Sequence, residues 1–303
     1  MFAVDQVIDY DGYGRPTMAY VQYRANDTAF SAFHFTRGKA LPDAVGADLP
    51  VALVTVNGAN PLAGMVYQAD GIGTTHKFNE VVFAKTQVWS GTGSAVQMGS
   101  YDRIDQYAFA LGANIGDHLQ IQGEEIRARE SSGFLGAIGS GGFSTADGAS
   151  IRLHGLSLRF SMKAAENRFE AFATYRQGTA QSRFADSILT RIDARLNQSA
   201  VGIGWRNNVN AVAFAVSQPL HVTGGDLGMK LAIGRTDNGA VIYNTPTIVL
   251  NPGIRQINWE LGMTHRLNQN AKIGMNLIYV KNPANSPGLS HDAGLLFIYG
   301  ARI

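Results

Sequence analysis

From Ala293 to Ile303 every second side chain is apolar: Ala293, Leu295, Phe297, Tyr299, Ala301 and Ile303. The other face carries Gly294, Leu296, Ile298, Gly300 and Arg302 and is smaller and partly polar. A period of two held over this length is a β-strand signal. A long apolar strand left as a sheet edge invites aggregation. Closing the sheet into a barrel removes the edge, and placing the barrel in lipid gives the apolar face its solvent. This stretch sets the expectation for the whole chain, a transmembrane β-barrel of the outer-membrane type.

Composition fits that expectation. Charged residues make up 16% of 303, against about 25% in typical soluble domains. The 35 glycines suit bare turns. A net charge of +2 and the lack of a basic run interleaved with aromatics point away from nucleic acid. With no cysteine there is neither a disulfide framework nor a thiolate metal site. No window of about 18 residues is continuously apolar, so no transmembrane helix is expected. The start Met1-Phe2-Ala3-Val4-Asp5 has neither the charge nor the apolar block of a signal peptide. If the protein is exported, this sequence is expected to be the mature part of a longer product, or Met1 an addition.

Residues 1–78 read as a β-rich stem or junction. Thr17–Arg24 and Ala29–Thr36 are short strands around the turn residues Asn26-Asp27, and Val51–Val56 is a third, ended by Asn57-Gly58. From 79 to 303 about twelve strands are expected. In the best of them Leu156, Leu158, Phe160 and Met162 oppose Ser157, Arg159, Ser161 and Lys163, and Ile257, Trp259, Leu261 and Met263 oppose Asn258 and Glu260. Tight turns fall near 115, 165, 208 and 268 and longer loops near 140, 188, 222 and 286, the short–long alternation of outer-membrane barrels. Phe184, Ile188, Ile192 and Leu196 recur at near-helical spacing, so 182–198 is expected to hold a short amphipathic helix. The last strand is expected to close the barrel against a strand near residue 79. Tyr107, Tyr175, Trp205, Tyr279 and Tyr299 stand near strand ends, where interfacial belts place aromatics.

No constellation in the chain carries catalysis. The seven histidines lack metal-ligand spacing, and there is no Gly-x-Ser-x-Gly elbow or P-loop. The Gly/Ser stretch 131–150 reads as a loop. Arg127 and Arg129 with Glu124, Glu125 and Glu130 read as a charged strand end beyond the lipid band. The polar faces supply the candidate lumen lining: Ser157, Arg159, Lys163, Arg168, Glu170, Arg176, Lys230, Asn258 and Glu260.

One segment carries a family likeness. Phe214-Ala-Val-Ser-Gln-Pro-Leu-His-Val222 continues through Leu227–Gly234, Asn251-Pro-Gly253, Gln256–Gly262 and Asp292-Ala-Gly-Leu295. Together with Gly14-Arg15-Pro16, it resembles the C-terminal region of subtilisin-type serine-protease autotransporters of proteobacteria. The resemblance implies a type V secretion translocator in the bacterial outer membrane, inserted by the barrel-assembly machinery and anchoring or exporting an upstream passenger. It makes Phe297, Tyr299 and Ile303 the candidate assembly signal, with Ile303 where such chains usually end on Phe. The family's Gly-Thr-Ser protease motif is absent, so any protease would lie upstream.

The sequence thus sets an all-β fold: an antiparallel transmembrane β-barrel at 79–303 behind a stem at 1–78. It is expected to be monomeric, without cofactor or metal, and not an enzyme. The alternatives are a free-standing outer-membrane pore for small solutes and a secreted soluble β-rich binding or scaffold protein.

Overall fold

A computed structural model describes residues 2–10, 16–36, 62, 65–93, 103–135, 143–145, 147–185, 187–250, 253–268, 271–286 and 288–301. The strands in chain order are β1 (Phe2–Tyr10), β2 (Pro16–Ala25), β3 (Thr28–Thr36), β4 (Val66–Lys77), β5 (Val82–Gly93) and β6 (Arg103–Ile115). Then come β7 (Leu119–Glu130), β8 (Ala149–Ala164), β9 (Asn167–Arg183), β10 (Leu189–Arg206) and β11 (Asn210–Met229). The chain ends with β12 (Leu231–Arg235), β13 (Val241–Asn244), β14 (Thr247–Leu250), β15 (Ile257–Arg266), β16 (Ala271–Lys281) and β17 (His291–Ala301).

The strands from β1 to β11, then β15 to β17, form one antiparallel meander of 14 strands in chain order. β14 pairs the far end of β11, and β12 with β13 makes a separate ribbon. Connections alternate in length. Residues 26–27, 78–81, 116–118, 165–166, 207–209 and 267–270 turn the chain at one end, whereas 37–65, 94–102, 131–148, 230–256 and 282–290 join strands at the other, together with the shorter 11–15 and 184–188, so the long loop expected near 188 is a short connection. Asn207 builds one short turn by accepting the backbone N–H groups of Val209 and Asn210 at 2.9 and 2.7 Å. Because the path is even, β1 starts and β17 ends at the same short-turn end, Phe2 beside Ala25 and Ala301 beside Ala271.

Several expectations need correction. The path has 14 strands and runs without a break through 78/79, since β4 pairs with both β3 and β5. Both edges of β5 are taken, by β4 and β6, so β17 does not close there, and the path's end strands are β1 and β17. The loop expected near 222 is the interior of β11. The helix expected over 182–198 is the end of β9 and the first half of β10. A spacing of four residues returns to the same face of a strand as well as of a helix, and Ile192 and Leu196 are buried on one face between exposed Arg191 and Arg195. The strand expected at Val51–Val56 and its turn Asn57-Gly58 lie outside the described residues.

The strands change solvent along their length. At the short-turn end of β8, Leu156, Leu158, Phe160 and Met162 face out and Ser157, Arg159 and Ser161 face in. Nearer the long-connection end the polarity inverts, with Ser150, Arg152 and His154 out and Ala149, Ile151 and Leu153 in. β7 repeats the switch. Leu119 and Ile121 face out below Glu125, Arg127 and Arg129, while Gln120, Gln122 and Glu124 face in below Ile126 and Ala128. β9 and β10 follow, the latter passing from Arg191, Asp193 and Arg195 outside to Val201, Ile203 and Trp205 outside.

The outward apolar band has no protein layer over it. Ile203 is 62% exposed and Phe297 71%. Trp259, Leu261 and Met263 lie on this face and not in a protein core, so the soluble β-protein alternative fails its own criterion.

Aromatic rings mark the edges of the band. Tyr175 donates its hydroxyl to Gln177 Oε1 at 3.4 Å and accepts from Asn197 Nδ2 at 2.9 Å, both on the charged side. At the opposite edge Trp205 Nε1 donates to Asn167 Oδ1 at 3.0 Å. Each ring keeps its apolar body in the band and its polar atom outside, as interfacial belts do.

β10 and β11 slip register between Asn197 and Ser199, where Pro219 and Leu220 of β11 stand against the single Gln198 of β10. A bulge is where a central strand tolerates a proline, which lacks the N–H that the ladder requires. Further along, Gly225 sits opposite Ala194 at φ +138°, with the Asp193 carbonyl oxygen where a Cβ would stand. Gly225→Ala is expected to cost about 2–3 kcal/mol through backbone strain, read as a lower urea midpoint of the refolded barrel.

Candidate functional site

The concave face of the sheet is the candidate site. Its short-turn half is polar and its long-connection half is apolar.

Two charge clusters dominate the polar half. Strand register sets Glu124 of β7 opposite Gly155 of β8, and Gly155 opposite Arg176 of β9. With no side chain on Gly155, Glu124 and Arg176 meet across it in an ion pair, both side chains almost fully buried. Arg176 Nη1 also donates to Gln198 Oε1 of β10 at 3.1 Å. Lower down, the Glu170 carboxylate takes Arg168 Nε at 2.8 Å, Arg159 Nη2 at 3.2 Å and Arg206 Nη2 at 3.4 Å. Three guanidiniums on one carboxylate leave this wall net positive. Around the sheet, Asn276 Nδ2 donates to Glu260 Oε1 at 2.7 Å, and Ser157 and Thr174 hydroxyls meet at 3.1 Å.

The apolar half is filled. Phe35 and Trp89 pack edge to face with centroids 6.2 Å apart. Ile104, Ile126, Ile151, Leu153, Ile192 and Leu196 continue the cluster around the sheet. Side chains from the connections join it: Leu62 is fully buried, and Met65, Phe134 and Leu135 pack against it. This is a core inside the sheet, where water outside the membrane makes inward burial the only stable place for such residues. Gln106, level with Ala128 in the apolar half, and Gln122, level with Ser157 in the polar half, are buried amides with no protein hydrogen-bond partner among the described residues.

Of the expected lining residues, Ser157, Arg159, Arg168, Glu170, Arg176, Asn258 and Glu260 face the interior. Lys163 shares the inward parity of β8 but is exposed at the short-turn mouth. Lys230 lies beyond the end of β11, exposed, with its ammonium 4.3 Å from the Tyr243 ring. Phe297 and Tyr299 stand on the outer face of β17, and Ile303 lies outside the described residues. Glu124, Gln198, Arg206 and Asn276 were missed as lining residues. Glu124 was grouped with Glu125 and Arg127, yet strand parity alone separates them. Glu125 stays outside, where the hydrogen bond from Arg127 at 2.7 Å holds its carboxyl below the usual range.

No protein-family model matches the chain, and no curated protein matches it. Among solved structures it is similar to OprB of Pseudomonas putida, in its high-pH structure. The TM-score is 0.51 at 11% identity, over 94% of this chain and 72% of that one. The outer-membrane expressed OmpT of Vibrio cholerae matches at 12% identity and a TM-score of 0.45, over 88% of this chain and 70% of that one. At such identity the first likeness speaks for the fold alone, and the second adds no argument. Sheet, band and lumen together define the class, an antiparallel transmembrane β-barrel of the outer-membrane type.

Proposed function

We propose that this barrel resides in the bacterial outer membrane and serves as the translocator and anchor of an autotransporter-type protein, holding and helping to export a passenger joined ahead of β1. The observation that carries this reading is the apolar closure of the lumen by Phe35, Leu62, Trp89 and their neighbours. A barrel stoppered by its own core suits an anchor and not a pore that stands open. The segments Ser217–Val222 and Asp292–Leu295, with their likeness to subtilisin-type autotransporters, support the same reading. β1 starts at the short-turn end, the periplasmic side of such barrels, so a passenger ahead of it enters from that side. Its partners are outer-membrane lipid, the barrel-assembly machinery and the passenger, and it works as a monomer. No catalysis is assigned to these residues, and any protease activity would lie in the passenger.

The test is display. A reporter fused ahead of residue 2, expressed behind a secretion leader, is expected to be cleaved by protease added to intact cells. A reporter that stays protected while the barrel migrates as a folded, heat-modifiable band contradicts translocation. The pore reading keeps one observation in its favour, the net positive wall at Glu170 and its three arginines. Steady conductance of the purified barrel in planar bilayers would replace the anchor reading with it.

A further inference from the structure

The outer face above the lipid band carries a collar of arginines that neither the fold nor translocation requires. On β7–β10 the outward side chains include Arg127, Arg129, Arg152, Arg183, Arg191 and Arg195, against the two carboxylates Glu125 and Asp193. Six cations against two anions leave a net of +4. Their placement is costly on its own terms. Arg127 is the direct cross-strand partner of Arg152, and Arg183 of Arg191, and like charges directly opposite destabilise a sheet. Each pair is held by one shared acid. Glu125 takes Arg127 Nε at 2.7 Å and Arg152 Nη2 at 3.0 Å. Asp193 takes Arg183 Nη1 at 3.0 Å and Arg191 Nε at 4.0 Å. Each triad therefore retains one positive charge.

Between the triads lies a cleft of about 450 Å³ with Arg129 on one wall, Arg183 on the other, and Ser150 and Gln181 between them. Register places Arg129 opposite Ser150, and Ser150 opposite Gln181. Asp147 also lines the cleft, its Oδ2 accepting the backbone N–H of Ala185 at 2.8 Å, so two guanidiniums face one carboxylate there. Directly below, the same strands present Leu156, Leu158, Phe160 and Tyr175 to lipid. The surface thus offers, in sequence away from the membrane centre, an apolar wall, a tyrosine and a polar cleft between guanidiniums. That order matches a membrane lipid standing beside the barrel, with its chains on the wall and its anionic headgroup in the cleft. Guanidiniums recognise phosphate with charge-assisted, often bidentate hydrogen bonds.

We infer that the collar of β7–β10 binds the phosphate-bearing headgroup of a membrane lipid, with Arg129 and Arg183 as its clamp. The inference rests on the transmembrane reading of the band and not on the autotransporter role. The test uses the full chain refolded in a non-ionic detergent. Native mass spectrometry measures retention of phosphatidic acid against phosphatidylcholine of the same chain length. The unaltered protein is expected to retain phosphatidic acid preferentially. The Arg129→Gln/Arg183→Gln double variant is expected to lose about tenfold of that preference, the scale of losing charge-assisted hydrogen bonds. Lys272→Gln, an exposed cation at the short-turn end, is expected to leave it unchanged. Equal retention of the two lipids overturns the proposal, as does an unchanged double variant. So does inorganic phosphate that displaces phosphatidic acid at equal concentration, because the lipid chains would then add nothing. Heat-modifiable migration is recorded in parallel. A folded barrel without lipid preference overturns the collar site and leaves the transmembrane reading standing, whereas an unaltered chain that never folds in detergent overturns both.

Discussion

Arg176→Met is expected to destabilise the barrel by about 3–5 kcal/mol, because it leaves the Glu124 carboxylate buried without its partner. Both side chains are almost wholly buried, and they bridge two strand spacings over Gly155. Glu124→Leu is expected to cost a similar amount, because the buried Arg176 guanidinium loses its carboxylate. Removing both charges together is expected to cost less than either single change, since the desolvation penalty of a buried ion pair offsets most of its attraction. Urea midpoints of the three variants in vesicles read this coupling directly. Additive losses would mean that water solvates both groups and that the lumen at this level is open. That outcome would also weaken the anchor reading, which needs the closure above it.

The second large effect concerns the outer face. Ile203 stands mid-band on β10 between Val201 and Trp205 and is 62% exposed. An exposed isoleucine replaced by arginine in water changes stability by roughly 0.5 kcal/mol at most. At the centre of a bilayer the same change costs about 2–4 kcal/mol, falling to about 0–1 at the interface. Ile203→Arg is therefore expected to be strongly destabilising in phosphatidylcholine vesicles, and Gln181→Arg, outward on β9 in the collar between Ser150 and Asp193, nearly neutral. The contrast in one membrane-refolded protein separates a lipid-facing band from an apolar patch in water.

Much of this architecture was legible because a strand reports its two faces at every second residue. Ile257–Arg266 and Ala271–Lys281 alternate cleanly, and their turn falls where the polar residues placed it. The misreadings share one physical origin. Long strands such as β10 pass from lipid into water, and the side that must be apolar changes from outside to inside on the way. A reader following Ile192 and Leu196 into Val201 and Ile203 meets a shift of phase, and a phase shift in a period of two imitates a helix. The same inversion, with the bulge at Pro219 and Leu220, hid the continuity of β11 through residue 222. The lumen residues on β8 and β9 were readable from parity. The apolar stopper was not, because Leu62 and Phe134 come from connections, and nothing local says that they fold inward.

The inversion itself is the central claim, and fluorescence quenching tests it most directly. The chain has no cysteine, so single cysteines at 158 and 203 in the band, and at 152 and 179 in the collar, can each carry one fluorophore without background. In vesicles the account predicts that lipid-borne nitroxide quenches the labels at 158 and 203, while aqueous iodide quenches those at 152 and 179. Iodide reaching all four labels alike would contradict it.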